Sequence, residues 1–124
     1  MNKYSAIYTE PRTFGKYDLD HIIGYLGEEQ VPDYQPEGTD DPVTGYKYTG
    51  TEKDGGTVMP CDDPESYPKV TNAIIRSKFS ESEEMAIHRH HGNDPEQYEV
   101  EWQEYNAFCE AAKALAKRWL GIEQ

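Results

Sequence analysis

The side chains best spaced for chemistry in this sequence are Glu84, His88 and His91. On a helix they fall at i, i+4 and i+7 and so share one face. One carboxylate with two imidazoles at that spacing is a set that could ligate a divalent metal. It differs from the zincin arrangement, in which two histidines four apart bracket a glutamate. Asp94 or His21 would be the natural source of a further ligand. The plainer reading of His88-Arg89-His90-His91 is electrostatic, because basic side chains at the end of a helix complement its negative pole. Other reactive groups carry weaker signals. Cys61 is followed by Asp62 and Asp63, whose charges disfavour a thiolate. The serines have no neighbouring setting that marks a nucleophile, and no phosphate-cradle or nucleophile-elbow motif occurs.

The second concentration of chemistry is acidic. Between Tyr17 and Tyr46 stand eight acids (Asp18, Asp20, Glu28, Glu29, Asp33, Glu37, Asp40, Asp41) and no lysine or arginine. Such a surface could meet a basic partner or imitate the phosphate array of DNA and occupy a DNA-binding protein. The plainer reading is a solubilising surface. The pattern of a calcium loop is absent. Across the whole chain, 24 acidic against 12 basic side chains give a net charge of −12. That field opposes direct binding to nucleic acid or to an anionic membrane.

These groups need elements to hold them. The strongest is a long helix expected over residues 94–120, opened by Asp94-Pro95 and closed by Gly121. Along it Tyr98, Trp102, Tyr105, Cys109, Ala112, Ala116 and Trp119 recur at alternating steps of four and three, which makes a seam. Tyr98, Trp102, Tyr105 and Trp119 are its aromatic members and the candidate partner-binding residues. Ser80-Glu81-Ser82-Glu83 reads as a capping box that starts a shorter helix over 80–91. Upstream, Lys3 to Tyr8 reads as a strand. Leu19, Ile22, Ile23 and Leu26 follow Asp18 at helical spacing and predict a short helix ended by Gly27. Residues 28–44, rich in proline, glycine and acid, read as a long loop with Val31 and Tyr34 as anchors. Gly45 to Thr49 and Thr57 to Met59 read as strands joined at Asp54-Gly55-Gly56. Val70 to Phe79 reads either as a strand or as an approach to the next helix, with strand favoured at its centre.

One stretch carries a resemblance. Tyr46-Lys47-Tyr48-Thr49-Gly50, Asp54-Gly55-Gly56-Thr57-Val58, Ile75-Arg76-Ser77-Lys78-Phe79-Ser80, Glu104-Tyr105-Asn106-Ala107-Phe108 and Lys113-Ala114-Leu115-Ala116-Lys117 together resemble small uncharacterised proteins encoded in phages and prophages of gut bacteria. The resemblance runs from Tyr46 onward and leaves out the acidic first half. It implies a setting, a phage or mobile-element accessory protein, and no activity.

A chain of 124 residues with 35% apolar residues and a mean hydropathy of −0.95 fits one small domain with a modest core, enlarged by ten tyrosines. The fold expected is α+β, a small antiparallel hairpin or sheet packed against a C-terminal helical pair. No apolar run reaches the length of a membrane span, the N-terminus lacks a signal peptide's apolar stretch, and two cysteines suit a reducing compartment, so a cytoplasmic setting is expected. The leading functional expectation is a non-enzymatic protein-interaction protein that needs no cofactor, self-associating through its long helix. An acidic DNA mimic and a metal-binding protein are the alternatives.

Overall fold

The computed structural model describes residues 3–36, 38 and 41–122. Its contacts gather into two compact units, Met1–Met59 and Pro60–Gln124. The fold class is α+β: the elements run β1 (Tyr4–Tyr8), β2 (Phe14–Asp18), β3 (His21–Gly24), β4 (Glu29–Tyr34), β5 (Val43–Gly50), β6 (Thr57–Pro60), then α1 (Tyr67–Lys78), α2 (Glu81–Asn93) and α3 (Glu99–Leu120).

The strands form two three-stranded sheets, ordered β1-β5-β4 and β2-β3-β6. In the first, β5 lies in the middle, antiparallel to both neighbours, with Tyr8 opposite Tyr46 and Glu29 opposite Lys47. The loop expected over 28–44 therefore contains a strand. Pro32 argues against a central strand because it cannot donate to a ladder, but β4 is an edge. The register shifts between Val31 and Tyr34, and Asp33 takes φ 57°, so the proline falls in a bulge where no donor is needed. Val31 and Tyr34 are half-buried, as anchors. Glu37, Thr39 and Asp40 lie outside the described residues.

The short helix expected after Asp18 is instead the hairpin of β2 and β3. Asp18 does what a cap residue does, but for a turn. Its carboxylate accepts from the Asp20 amide at 2.9 Å and pairs with the His21 ring at 2.8 Å. The same short acidic side chain serves helix caps and Asx turns, so the signal was ambiguous. Ile22 and Tyr25 are buried and Leu19 is left outside. The two strands expected to pair across Asp54-Gly55-Gly56 do not share a sheet: β5 is central in one and β6 lies at the edge of the other. The turn between them is tight, with the Glu52 amide donating to Gly56 O at 2.9 Å and the Gly55 amide to Glu52 O at 3.0 Å.

In the second unit the stretch expected as a strand over 70–79 is helix α1. Ser66 caps it, accepting from the Lys69 amide, with proline in its first turn. Val70, Ala73 and Ile74 are buried at i, i+3 and i+4, a helical period that the β-branched composition masked. Helix α2 begins with the capping box, both of whose hydrogen bonds are present, and continues past His91 to Asn93. Residues 95–98 form a turn, so α3 starts at Glu99 and ends at Gly121 in the left-handed conformation. The seam of α3 is turned inward: Tyr105, Ala112, Ala116 and Trp119 are buried, and α1 and α2 both pack on α3.

Candidate functional site

The three candidate metal ligands lie in one neighbourhood, but two of them, Glu84 and His91, are held by other side chains. The Glu84 carboxylate accepts from Arg76 Nη2 at 2.6 Å and from the Tyr105 hydroxyl. Those bonds, that of Tyr105 foremost, hold its carboxyl below the ordinary range. His91 stacks on Trp102, ring centres 4.4 Å apart and planes within 10°, and its Nε2 lies 3.3 Å from Glu99. His88 is exposed and meets the rings of Trp102 and Tyr105 edge-on. Among the described residues no three His, Cys, Asp or Glu side chains converge as a metal site requires. Asp94 instead accepts from the Gln97 amide, and His21 pairs with Asp18.

The candidate partner residues also make contacts within the chain. Tyr105 and Trp119 are buried, at 6% and 7% exposure. Half-buried Tyr98 stacks on His90, with 4.5 Å between centres, and half-buried Trp102 carries His91. His90 Nδ1 also lies 3.0 Å from Glu101. The His cluster thus joins the end of α2 to the start of α3 through two stacked pairs, each beside a carboxylate.

A different site emerges in the N-terminal unit. A cavity of about 470 Å³ is lined by the continuous arm Tyr8–Gly15 together with Ile23 and Tyr25. That size lies within the range of small-ligand pockets. Its walls follow from a cluster of three tyrosines. Tyr8, Tyr25 and Tyr48 pack edge-on or tilted with ring centres 5.7 to 6.1 Å apart. Their hydroxyls then fix the arm and the turn beneath. Tyr48 accepts from the Arg12 amide at 2.8 Å and donates to Glu28 at 2.7 Å. Tyr25 donates to Asp54 Oδ2 at 2.7 Å, and Tyr8 donates to the Asp54 carbonyl. Burial, then the bond to Asp54, raises the Tyr25 hydroxyl above its ordinary pKa. The Asp54 carboxyl is lowered, chiefly by that same bond.

Arg12 lies in the corner formed by two of these rings. Its guanidinium carbon is 4.6 Å from the centre of Tyr8 and 4.5 Å from that of Tyr25, a cation–π geometry on both sides. Nη2 donates to the Tyr25 hydroxyl at 3.2 Å. Among the described residues Arg12 forms no ion pair, and a guanidinium has five N–H donors. Glu10, Thr9 and Thr13 supply the remaining polar lining, and Pro11, Phe14 and Ile23 the apolar part. This set can bind and orient a group of negative charge. Neither Arg12 nor the tyrosines was singled out from the sequence. The available signal was faint: Arg12 is the only arginine before Arg76, placed between proline and threonine in an acidic chain.

No protein-family model, curated protein or solved structure matches this chain.

Proposed function

We propose that the chain is a non-enzymatic interaction protein and that the Arg12 cavity is where it holds an acidic group of its protein partner. The observation that supports this most is a positioned cation with unspent donors, lining an open cavity, in a chain of net charge −12. In such a chain a guanidinium would ordinarily be drawn into an ion pair. Here two tyrosine rings and one hydroxyl hold it, with the Asp54 charge nearby but no direct ion pair, which leaves hydrogen-bonding capacity for a ligand. Self-association through α3 loses support from the burial of its seam, so a different protein is the expected partner. The accessory role in a phage or mobile element, implied by the resemblance, agrees with this reading. A reducing, cytoplasmic setting agrees with two free cysteines, and none of the described helices is long and apolar enough to cross a membrane.

The test compares capture by the parent and by an Arg12→Ala variant from a lysate of the source cell, at low and high salt. A protein retained by the parent and lost with Arg12→Ala supports the reading. Identical partners for both chains would refute it. The acidic tract supports a second reading, a decoy for a basic DNA-binding protein, since Glu29 and Asp33 are exposed on the edge strand β4. Its signature is a partner that added duplex DNA displaces and that Arg12→Ala still captures.

A further inference from the structure

Resting on the reading just given, we propose that the acidic group held by Arg12 is the free carboxylate at the end of a peptide whose last residue is apolar. Three features of the cavity point to this chemistry. The first is the donor. A guanidinium held against Tyr8 and Tyr25, with Nη2 already directed to Tyr25, keeps a fixed orientation and offers further N–H groups side by side. Paired donors of that kind match the two oxygens of a planar carboxylate.

The second feature is charge. Glu10 lines the same cavity, and Asp54 stands behind the Tyr25 hydroxyl, which holds its carboxyl below the ordinary range. A ligand bringing two negative charges, such as a phosphate dianion, meets both carboxylates in addition to the field of the whole chain. A single carboxylate gains the guanidinium and keeps that repulsion small. The third is polarity. Pro11, Phe14 and Ile23 line the cavity beside the polar groups, so an apolar side chain and an anionic group can be taken up together. A terminal residue places an apolar side chain and a carboxylate on the same carbon. An internal aspartate or glutamate brings the carboxylate without the apolar side chain, and its main chain must continue in both directions. Thr9 and Thr13 line the same cavity, and a threonine hydroxyl can donate to or accept from a peptide group.

The experiment is a titration of the full ¹⁵N-labelled chain, following the Arg12 backbone amide and its Nε–H signal. The probes are N-acetylphenylalanine, its carboxamide, N-acetylglutamic acid α-amide and inorganic phosphate. N-acetylphenylalanine is expected to move both Arg12 signals saturably and the uncharged carboxamide to leave them in place. Arg12→Lys is expected to weaken binding about tenfold, as for the loss of one hydrogen bond to a charged group, with its remaining signals still dispersed as in a folded chain. Glu10→Gln is expected to admit phosphate, which the parent rejects. If the glutamic acid amide or phosphate binds the parent as tightly as N-acetylphenylalanine, the terminal-carboxylate assignment is overturned while Arg12 stands as the anchor. If no probe moves the Arg12 signals, both fall.

Discussion

At the scale of residues, the charge arrangement most consequential for stability is the group formed by Arg76, Glu84 and Tyr105. Arg76 and Glu84 are 17% and 23% exposed, and the guanidinium also donates to the Phe79 carbonyl at 3.0 Å. One carboxylate thus links α1, α2 and α3. Removing it leaves a largely desolvated cation without its counter-charge and a buried hydroxyl without its acceptor, and Glu84→Ala should destabilise the chain by about 2 kcal/mol. The pH dependence follows from the direction of the shift. The Glu84 carboxyl titrates below its ordinary value of 4.5, first because of Tyr105 and then because of Arg76. A carboxyl whose folded pKa lies below its unfolded one contributes stability that is complete above the unfolded value and is lost as pH falls through the folded value. Thermal unfolding should therefore show a midpoint that declines as pH drops below 4.5, and Glu84→Gln should make that decline shallower. An unchanged slope in the variant would assign the acid sensitivity to other carboxylates.

At the scale of elements, the turn of residues 51–56 joins two sheets and also supports the candidate site. Asp54 accepts from the Gly56 amide at 2.9 Å through one oxygen and from Tyr25 through the other. Gly55 makes this geometry accessible, with φ +85° and a backbone so close that an added Cβ would stand 2.7 Å from the Tyr48 carbonyl. Gly55→Ala combines a disfavoured backbone conformation with that collision, and a loss of about 2 kcal/mol or more is expected from the denaturant midpoint. Arg12 signals should shift in the same variant, because the turn positions Tyr25. The elements also explain which expectations held. Capping box and closing glycine located α2 and the end of α3 within a few residues, since each rests on local hydrogen bonds. The helix expected after Asp18 and the strand expected over 70–79 exchanged identities. Their apolar spacing suits both periods over so few residues, and burial partners elsewhere in the chain settled the choice.

At the scale of the molecule, the described chain gathers into two units, each with buried residues of its own. In the C-terminal unit Val70, Ala73, Ile74, Ile87, Tyr105, Ala112, Ala116 and Trp119 provide a core for three helices. A fragment of residues 60–124 should therefore be helical and unfold cooperatively when expressed alone. A fragment lacking a helical circular-dichroism spectrum would show that this core does not suffice. The net charge of −12 acts at the same scale. That field opposes the approach of further negative charge, so a site for an anion would need its positive potential concentrated locally, as the placement of the Arg12 guanidinium would allow.

What the sequence alone determined are properties written in neighbouring residues or in sums over the chain. These are its charge, the α+β class, the capped helices, the first strand and the existence of a seam along α3, although not the direction in which that seam faces. Each depends on contacts a few positions apart or on composition, which a linear reading contains. Tertiary structure decided the rest. The chemistry of Glu84, His88 and His91 was legible as a ligand set, yet Arg76, Tyr105, Trp102 and Glu99 took up two of the three side chains. Arg12 carried almost no local signal, because its site needs Tyr8, Tyr25, Tyr48 and Asp54, drawn together from positions up to 46 residues apart. Whether a polar side chain is a ligand, a strut or an anchor depends on what lies across from it, and the chain acquires those neighbours only by folding.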